Sequence, residues 1–293
     1  MKPASTIRKT MLLAALAWTL EPAGAAEPAR HLTDVVYAAV DGKKLALDLH
    51  MPAGIEHPPL VVYVHGGAWR AGSKTEYPEF LVGRGYAVAS VEFRSSTDAR
   101  FPANVQDIKA AIRFLRAKAK EYGYRIDRIA IAGSSSGGHL AALVGTTNGV
   151  KDLEGTVGDN PGESSAVQAI VSWYGASNFM TILTQSTPFG LGVREPSLKL
   201  LLGGLPDEVP ALAKLASPVT HVGAGDPPAI LLHGNQDRQM PVNQLLELEA
   251  AYRRAGLSIE TMIVDGAGHG DKVFLAGEPA ERVVAFLQKT IGR

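Results

Sequence analysis

Gly133-Ser134-Ser135-Ser136-Gly137 places a serine at the centre of a Gly-x-Ser-x-Gly motif. A serine hydroxyl is a weak nucleophile until a base takes its proton, and the base in turn needs an acid to orient it. The pattern therefore points to acyl transfer through a covalent intermediate. Ser/Gly clusters are more often plain loops, so the flanks decide. Before the motif, Ile129-Ala130-Ile131-Ala132 reads as a buried strand; after it, Leu140-Ala141-Ala142-Leu143-Val144 reads as a helix. Strand, Gly-x-Ser-x-Gly, helix is the context of a nucleophile elbow. Such a turn presents Oγ of Ser135 at the carboxyl end of the sheet, and Gly133 and Gly137 give it room. The amide of Ser136, at the helix start, then points at a developing oxyanion.

The partners follow in the chain order serine, acid, histidine, each on a loop after a strand. His269 lies on the glycine-rich turn Asp265-Gly266-Ala267-Gly268-His269-Gly270 after the last apolar run, which suits a base at a rim. His65 and His139 sit in glycine turns with other roles, His221 precedes a Gly/Pro loop, and His233 ends a strand. Asp237 follows the strand Pro228–His233 and is the expected acid. Asp226 precedes that strand, at the wrong end of the sheet, and Asp265 would have to fold back within the loop of His269. His65-Gly66-Gly67-Ala68-Trp69 ends another buried run, so amides of Gly67 and Ala68 are expected to join that of Ser136 in an oxyanion hole. Trp69 and Trp173 are expected to wall the substrate pocket; the alternative is that Trp173 and Tyr174 are core residues under the sheet, leaving a small pocket suited to acetyl or butyryl esters.

These groups need a scaffold, and the chain alternates strand and helix signals. Asp41-Gly42 between two partly alternating runs predicts a hairpin. Leu60–Val64 is a continuous apolar run, as in a strand covered on both faces, and 86–93 is another strand. Val105, Ile108, Ile112 and Leu115 recur at helical spacing up to Gly123. Further strands are expected at 167–174, 228–233 and 259–264, with helices at 242–254 and 278–289. The prediction is an α/β fold: a mostly parallel sheet with helices on both faces. Between residues 175 and 217 the pattern weakens, with Phe179, Phe189, Leu191 and Leu198–Leu202 among Gly and Pro, and this stretch is expected to form a short cap or lid. No repeat or low-complexity linker divides residues 27–293, so one catalytic domain is expected.

With 29 basic and 29 acidic residues the formal charge is +0 and no basic patch stands out, which argues against a nucleic-acid partner. Lys2, Arg8 and Lys9 precede the apolar run Met11–Leu20, and small residues follow up to Ala26. That is the form of a cleavable secretory signal over residues 1–26, too short to span a bilayer. A periplasmic or secreted protein is expected, without a stable membrane anchor; the chain has no cysteine to carry a lipid or a disulfide.

Together, His65–Trp69, Gly133–Leu140 and the pair Asp237/His269 resemble the serine esterases of the α/β-hydrolase fold, in the hormone-sensitive-lipase-like group. Phe101–Ala111 and Ser172-Trp173-Tyr174-Gly175 are similar to stretches of bacterial feruloyl and acetylxylan esterases. The third glycine of the group's usual oxyanion turn is Ala68 here, whose amide remains available. The resemblance implies a serine carboxylic-ester hydrolase needing neither metal nor organic cofactor. Its substrate would be a small-molecule or polysaccharide-linked ester, with a feruloyl, acetyl or similar small aromatic or short-chain acyl group. A formamidase or peptidase on the same fold is the rival. The formamidase would be expected inside a cell, and the peptidase would need a larger cap than this chain has room for.

Overall fold

Asp41 and Gly42 take left-handed φ values of 50° and 80°, the geometry of a two-residue turn that matches strand twist. They fold β1 (Arg30–Val40) back on β2 (Lys43–Met51). The computed structural model describes residues 29–292; the expected signal segment 1–26 lies outside the described residues. After the hairpin come β3 (Pro59–Val64), α1 (Glu79–Gly83), β4 (Ala87–Val91), α2 (Ala103–Tyr122), β5 (Arg125–Ser134), α3 (Ser136–Thr146) and α4 (Lys151–Glu154). Then follow β6 (Ala169–Trp173), α5 (Phe179–Gln185), α6 (Pro188–Leu202), α7 (Pro210–Leu215), β7 (Ala229–Gly234), α8 (Asn243–Arg254), β8 (Ile259–Val264) and α9 (Gly277–Thr290).

The strands form one sheet in the order β1-β2-β4-β3-β5-β6-β7-β8. Only β2 runs against its neighbours; from β4 to β8 every pairing is parallel. This is the α/β-hydrolase fold. Successive side chains of a strand point to opposite faces, and here both faces are covered. Leu60, Val62 and Val64 join the core under α2, α3 and α8, whereas Val61 and Tyr63 join the one under α1 and α9. All six residues of β3 are buried, which is why its sequence reads as an unbroken apolar run. Each such aliphatic side chain contributes about 1.5–3 kcal/mol. A parallel sheet brings the carboxyl ends of its strands to one edge, and the loops after β3, β5, β6, β7 and β8 meet there.

Residues 175–217 contain the three helices α5, α6 and α7. Phe179, Ile182, Leu198, Leu201, Leu202 and Ala213 from this stretch are buried in the larger core. Pro196 lies inside α6, which starts at Pro188 behind a Thr187 cap that accepts from the Gly190 amide at 3.0 Å.

Candidate active site

Ser135 follows β5 with φ 54° and ψ −121°. That region is sparsely populated for a residue with a side chain, and it costs on the order of 1–3 kcal/mol. The surroundings hold it there. The Ser135 amide donates to the Trp173 carbonyl at 2.9 Å, and the His139 amide donates to the Ser135 carbonyl at 3.0 Å. A Cβ on Gly137 would lie 2.0 Å from the Val64 carbonyl oxygen, and one on Gly133 would lie 2.2 Å from that of Gly137. The motif glycines are therefore required by backbone packed against backbone, which cannot move aside.

The loops after β7 and β8 bring Asp237 and His269 to this serine. His269 Nε2 is 2.8 Å from Ser135 Oγ, and Nδ1 is 2.6 Å from Asp237 Oδ2. Because Nδ1 faces a carboxylate it carries a proton, which leaves Nε2 of the neutral ring as the acceptor for the serine hydroxyl. The Asp237 side chain is fully buried. Burial alone would raise its pKa, yet contacts with His233 and His269 and an amide bond from Met240 hold it well below the usual carboxylate range. Oδ1 accepts from the amides of Gln239 and Met240, both at 2.8 Å. His233 Nε2 lies 3.3 Å from Oδ2 and 3.0 Å from the Met240 carbonyl oxygen. Facing two acceptors, it carries the hydrogen. This contact of His233 with the acid has no signal in the sequence beyond its spacing of four.

The turn after β3 runs against the elbow: a Cβ on Gly66 would sit 3.2 Å from the Ser134 carbonyl oxygen and 3.4 Å from Ser135 Cβ. Gly67, Ala68 and Trp69 take positive φ of 114°, 54° and 62°. Their turn is closed by the amides of Arg70 and Ala71, which donate to the Gly67 carbonyl at 3.1 and 3.0 Å. Ala68 thus adopts, with a methyl group, the left-handed conformation that a glycine takes freely.

Two expectations are corrected. Trp69 and Trp173 are 0% and 1% exposed, so neither ring walls an open pocket. Trp69 turns inward because its Nε1–H has a buried acceptor, His139 Nδ1 at 3.0 Å, and its ring packs edge-on against Phe179. Trp173 ends β6 facing the core under α1 and α9. The next residue, Tyr174, is the one at the site: its half-buried ring meets the His269 ring edge-on at 4.9 Å. Phe189 is exposed, and the guanidinium of Arg238, the residue after Asp237, stands 5.8 Å from its ring centre. Tyr174 lies one residue beyond β6 with φ 41° and packs against the same core as Trp173, so strand alternation does not fix its direction.

His139, expected to serve only its glycine turn, is a buried tie. It accepts from Trp69 and its Nε2–H donates to the Ala216 carbonyl at 2.7 Å, with Phe179 stacked 4.6 Å away. Burial lowers its pKa to about 4; the bond to Ala216 opposes the shift and the charge of Arg194 adds to it. Burial likewise lowers His50 to about 4. Both rings stay neutral in the folded protein, whereas in the unfolded chain they take a proton below about 6.5. The unfolded state therefore binds more protons between pH 6.5 and 4, and stability falls as pH drops through that window. For His139 the full loss is roughly 3 kcal/mol. Asp237, with its lowered pKa, adds to the loss only below the ordinary carboxylate range. Urea midpoints at pH 7, 5.5 and 4.5 are expected to fall in that order; a midpoint constant over this range would contradict the assignment.

Among the described residues there is no group of three or more His, Cys, Asp or Glu side chains able to hold a metal ion, and no helix long and apolar enough to cross a membrane.

The profile of the BD-FAE family matches residues 47–252. A solved carbohydrate esterase from gut microbiota, in truncated form, superposes with a TM-score of 0.80 at 31% identity, covering 89% of this chain and 95% of that one. A butyrate-bound esterase of the Planctomycetes species Thermogutta terrifontis superposes with a TM-score of 0.70 at 28% identity, covering 88% of this chain and 92% of that one. Among curated proteins, esterase LipC of Mycobacterium tuberculosis is 28% identical over 239 residues, which are 79% of this chain and 58% of that protein. The chain spans about half the length of the curated relatives it matches.

Proposed function

The chain belongs to the BD-FAE family, and from that premise we propose that it is a serine carboxylic-ester hydrolase working through an acyl-enzyme. One observation carries the reading: Ser135, His269 and Asp237 stand in a single hydrogen-bonded line at 2.8 and 2.6 Å. In the first half-reaction Oγ of Ser135 attacks the ester carbonyl carbon as its proton passes to His269 Nε2. Amides of Gly67, Ala68 and Ser136 hold the oxyanion. The carbon–alkoxide bond then breaks, and His269 returns the proton to the departing alcohol. Water attacks the acyl-enzyme with His269 again as base, releasing the acid and restoring Ser135. Asp237 orients the imidazole and stabilises its charged form.

The acyl group we propose is short, acetyl to butyryl. With Trp69 and Trp173 in the core, aromatic stacking is left to Tyr174 and Phe189. Offset stacking adds about 0.5–1.5 kcal/mol per pair, and Tyr174 is already packed against His269 and Phe274, which limits what it can offer a feruloyl ring. The butyrate-bound and carbohydrate-esterase neighbours support a short acyl chain and a hydroxyl-rich alcohol. A panel of p-nitrophenyl acetate and butyrate, methyl butyrate, methyl ferulate, acetylated xylan and N-formylkynurenine tests this. The short-chain esters are expected to have the highest kcat/KM, with methyl butyrate above methyl ferulate. Turnover of N-formylkynurenine without turnover of any ester would establish an amidase instead.

A further inference from the structure

Arg194, on α6, is 0% exposed, and none of its three side-chain nitrogens hydrogen-bonds to any group among the described residues. Its guanidinium carbon stands 5.6 Å from the centre of the Trp69 ring. A guanidinium presents five donors in a fixed fork, and burying such a charge without an acceptor is destabilising. The charge is nevertheless retained: burial lowers its pKa only to about 10, with Asp237 opposing the shift and Arg70 adding to it. Arg70, the next residue after Trp69, is exposed and makes no ion pair among the described residues. It is close enough for its like charge to act on Arg194.

Arg70 also lines a cavity of about 260 Å³ beside the oxyanion turn, with His65, Gly72, Glu92 and Asp98 among its walls. The carboxylates there are already engaged. Asp98 pairs with Lys43 at 2.6 Å, and Glu92 accepts from the Lys74 amide at 3.2 Å. Two guanidiniums thus flank the turn without an ion-pair partner of their own among the described residues, Arg70 exposed and Arg194 buried behind Trp69.

We propose that Arg194 and Arg70 bind a carboxylate carried by the ester substrate, so that the preferred substrates are acidic esters, such as acyl esters of uronate-bearing saccharides. Arg70 receives the carboxylate from solvent, and Arg194 meets it by rotation of its long side chain, gaining the acceptors it lacks. The proposal rests on the ester-hydrolase reading above. Guanidinium is suited to this partner because its fork matches the two oxygens of a carboxylate.

The test uses two matched pairs of esters. Monoethyl glutarate against ethyl valerate puts the carboxylate on the acyl side; 4-acetoxybutanoate against butyl acetate puts it on the alcohol side. In at least one pair wild-type protein is expected to favour the acidic ester in kcat/KM by about tenfold to hundredfold, the range of a charge-assisted hydrogen bond. That ratio is expected to collapse to near one in Arg194→Met and to fall in Arg70→Met, and to weaken in wild type as salt is added. Arg194→Met is expected to unfold at no lower temperature than wild type, because it removes an unpaired buried charge. Should it fail to fold, Arg70→Met and competitive inhibition of wild type by glutarate still decide. Neutral esters turned over as well as acidic ones, or a preference that survives in both variants, would overturn the inference while leaving the esterase reading intact. Absence of turnover on all four esters would overturn the esterase reading and this inference with it.

Discussion

Ser135→Ala is expected to lower kcat by about 10⁴–10⁶-fold on any ester the protein turns over, as loss of a nucleophile does where serine and histidine act as a unit. The fold should survive. The constraints on residue 135 are backbone contacts: its amide to the Trp173 carbonyl and its carbonyl from the His139 amide. A methyl side chain leaves both in place. The flanking serines provide the control. Ser134 Oγ is 3.0 Å from the Tyr63 hydroxyl, and Ser136 Oγ is buried without a hydrogen-bond partner. Neither hydroxyl touches His269, so Ser134→Ala and Ser136→Ala should stay within about tenfold of wild type, a loss of no more than about 1.4 kcal/mol. Steady-state kinetics on one ester, with thermal unfolding in parallel, checks all three. Full turnover by Ser135→Ala would remove the serine mechanism.

Asp237→Asn is expected to cost about 10⁴-fold in kcat, and the geometry gives the reason. The amides of Gln239 and Met240 both donate to Oδ1, so an asparagine must place its oxygen there. Its NH₂ then occupies the position of Oδ2 and faces Nδ1 of His269. A donor opposite Nδ1 forces the proton onto Nε2, where it points at Ser135 and cannot accept the serine hydrogen. The same NH₂ also faces the Nε2–H of His233. Asp265→Asn is the comparison: Asp265 Oδ1 accepts from Asn235 Nδ2 at 2.7 Å and has no contact with the imidazole of His269. It should cost less than about tenfold, or about 1.4 kcal/mol. If the two variants exchanged places, the acid would have to be reassigned.

The line from Ser135 to His269 to Asp237 was legible because each residue carries a local signature. The serine has its glycines, and the histidine and aspartate follow apolar runs in an order that a parallel sheet imposes. The hairpin at Asp41-Gly42 and the long helix ending at Gly123 were legible for the same reason, since turn chemistry and period both act over a few residues. The three helices of residues 175–217 were not. Gly190, Gly192 and Pro196 lower helical propensity within α6, and what holds it is burial of Leu198, Leu201 and Leu202 against distant parts of the chain. The tryptophans failed for a related reason. Whether Trp69 lies in a pocket or in the core depends on His139, 70 positions away, a partner that no local pattern announces. Arg194 was illegible altogether, because an arginine is an ordinary residue on a helix until its burial is known.

The tie made by His139 has a thermodynamic consequence. Through one imidazole the oxyanion turn, by way of Trp69, is joined to the end of the segment 175–217, by way of Ala216, and Phe179 from the same segment stacks on that ring. Two pieces of chain that share a buried hydrogen-bonded partner have coupled equilibria. Whatever weakens the hold of the ring on Ala216 also weakens the seat of Trp69. Loss of that one imidazole would therefore be felt at both places at once, in the seat of the segment and in the set of the turn.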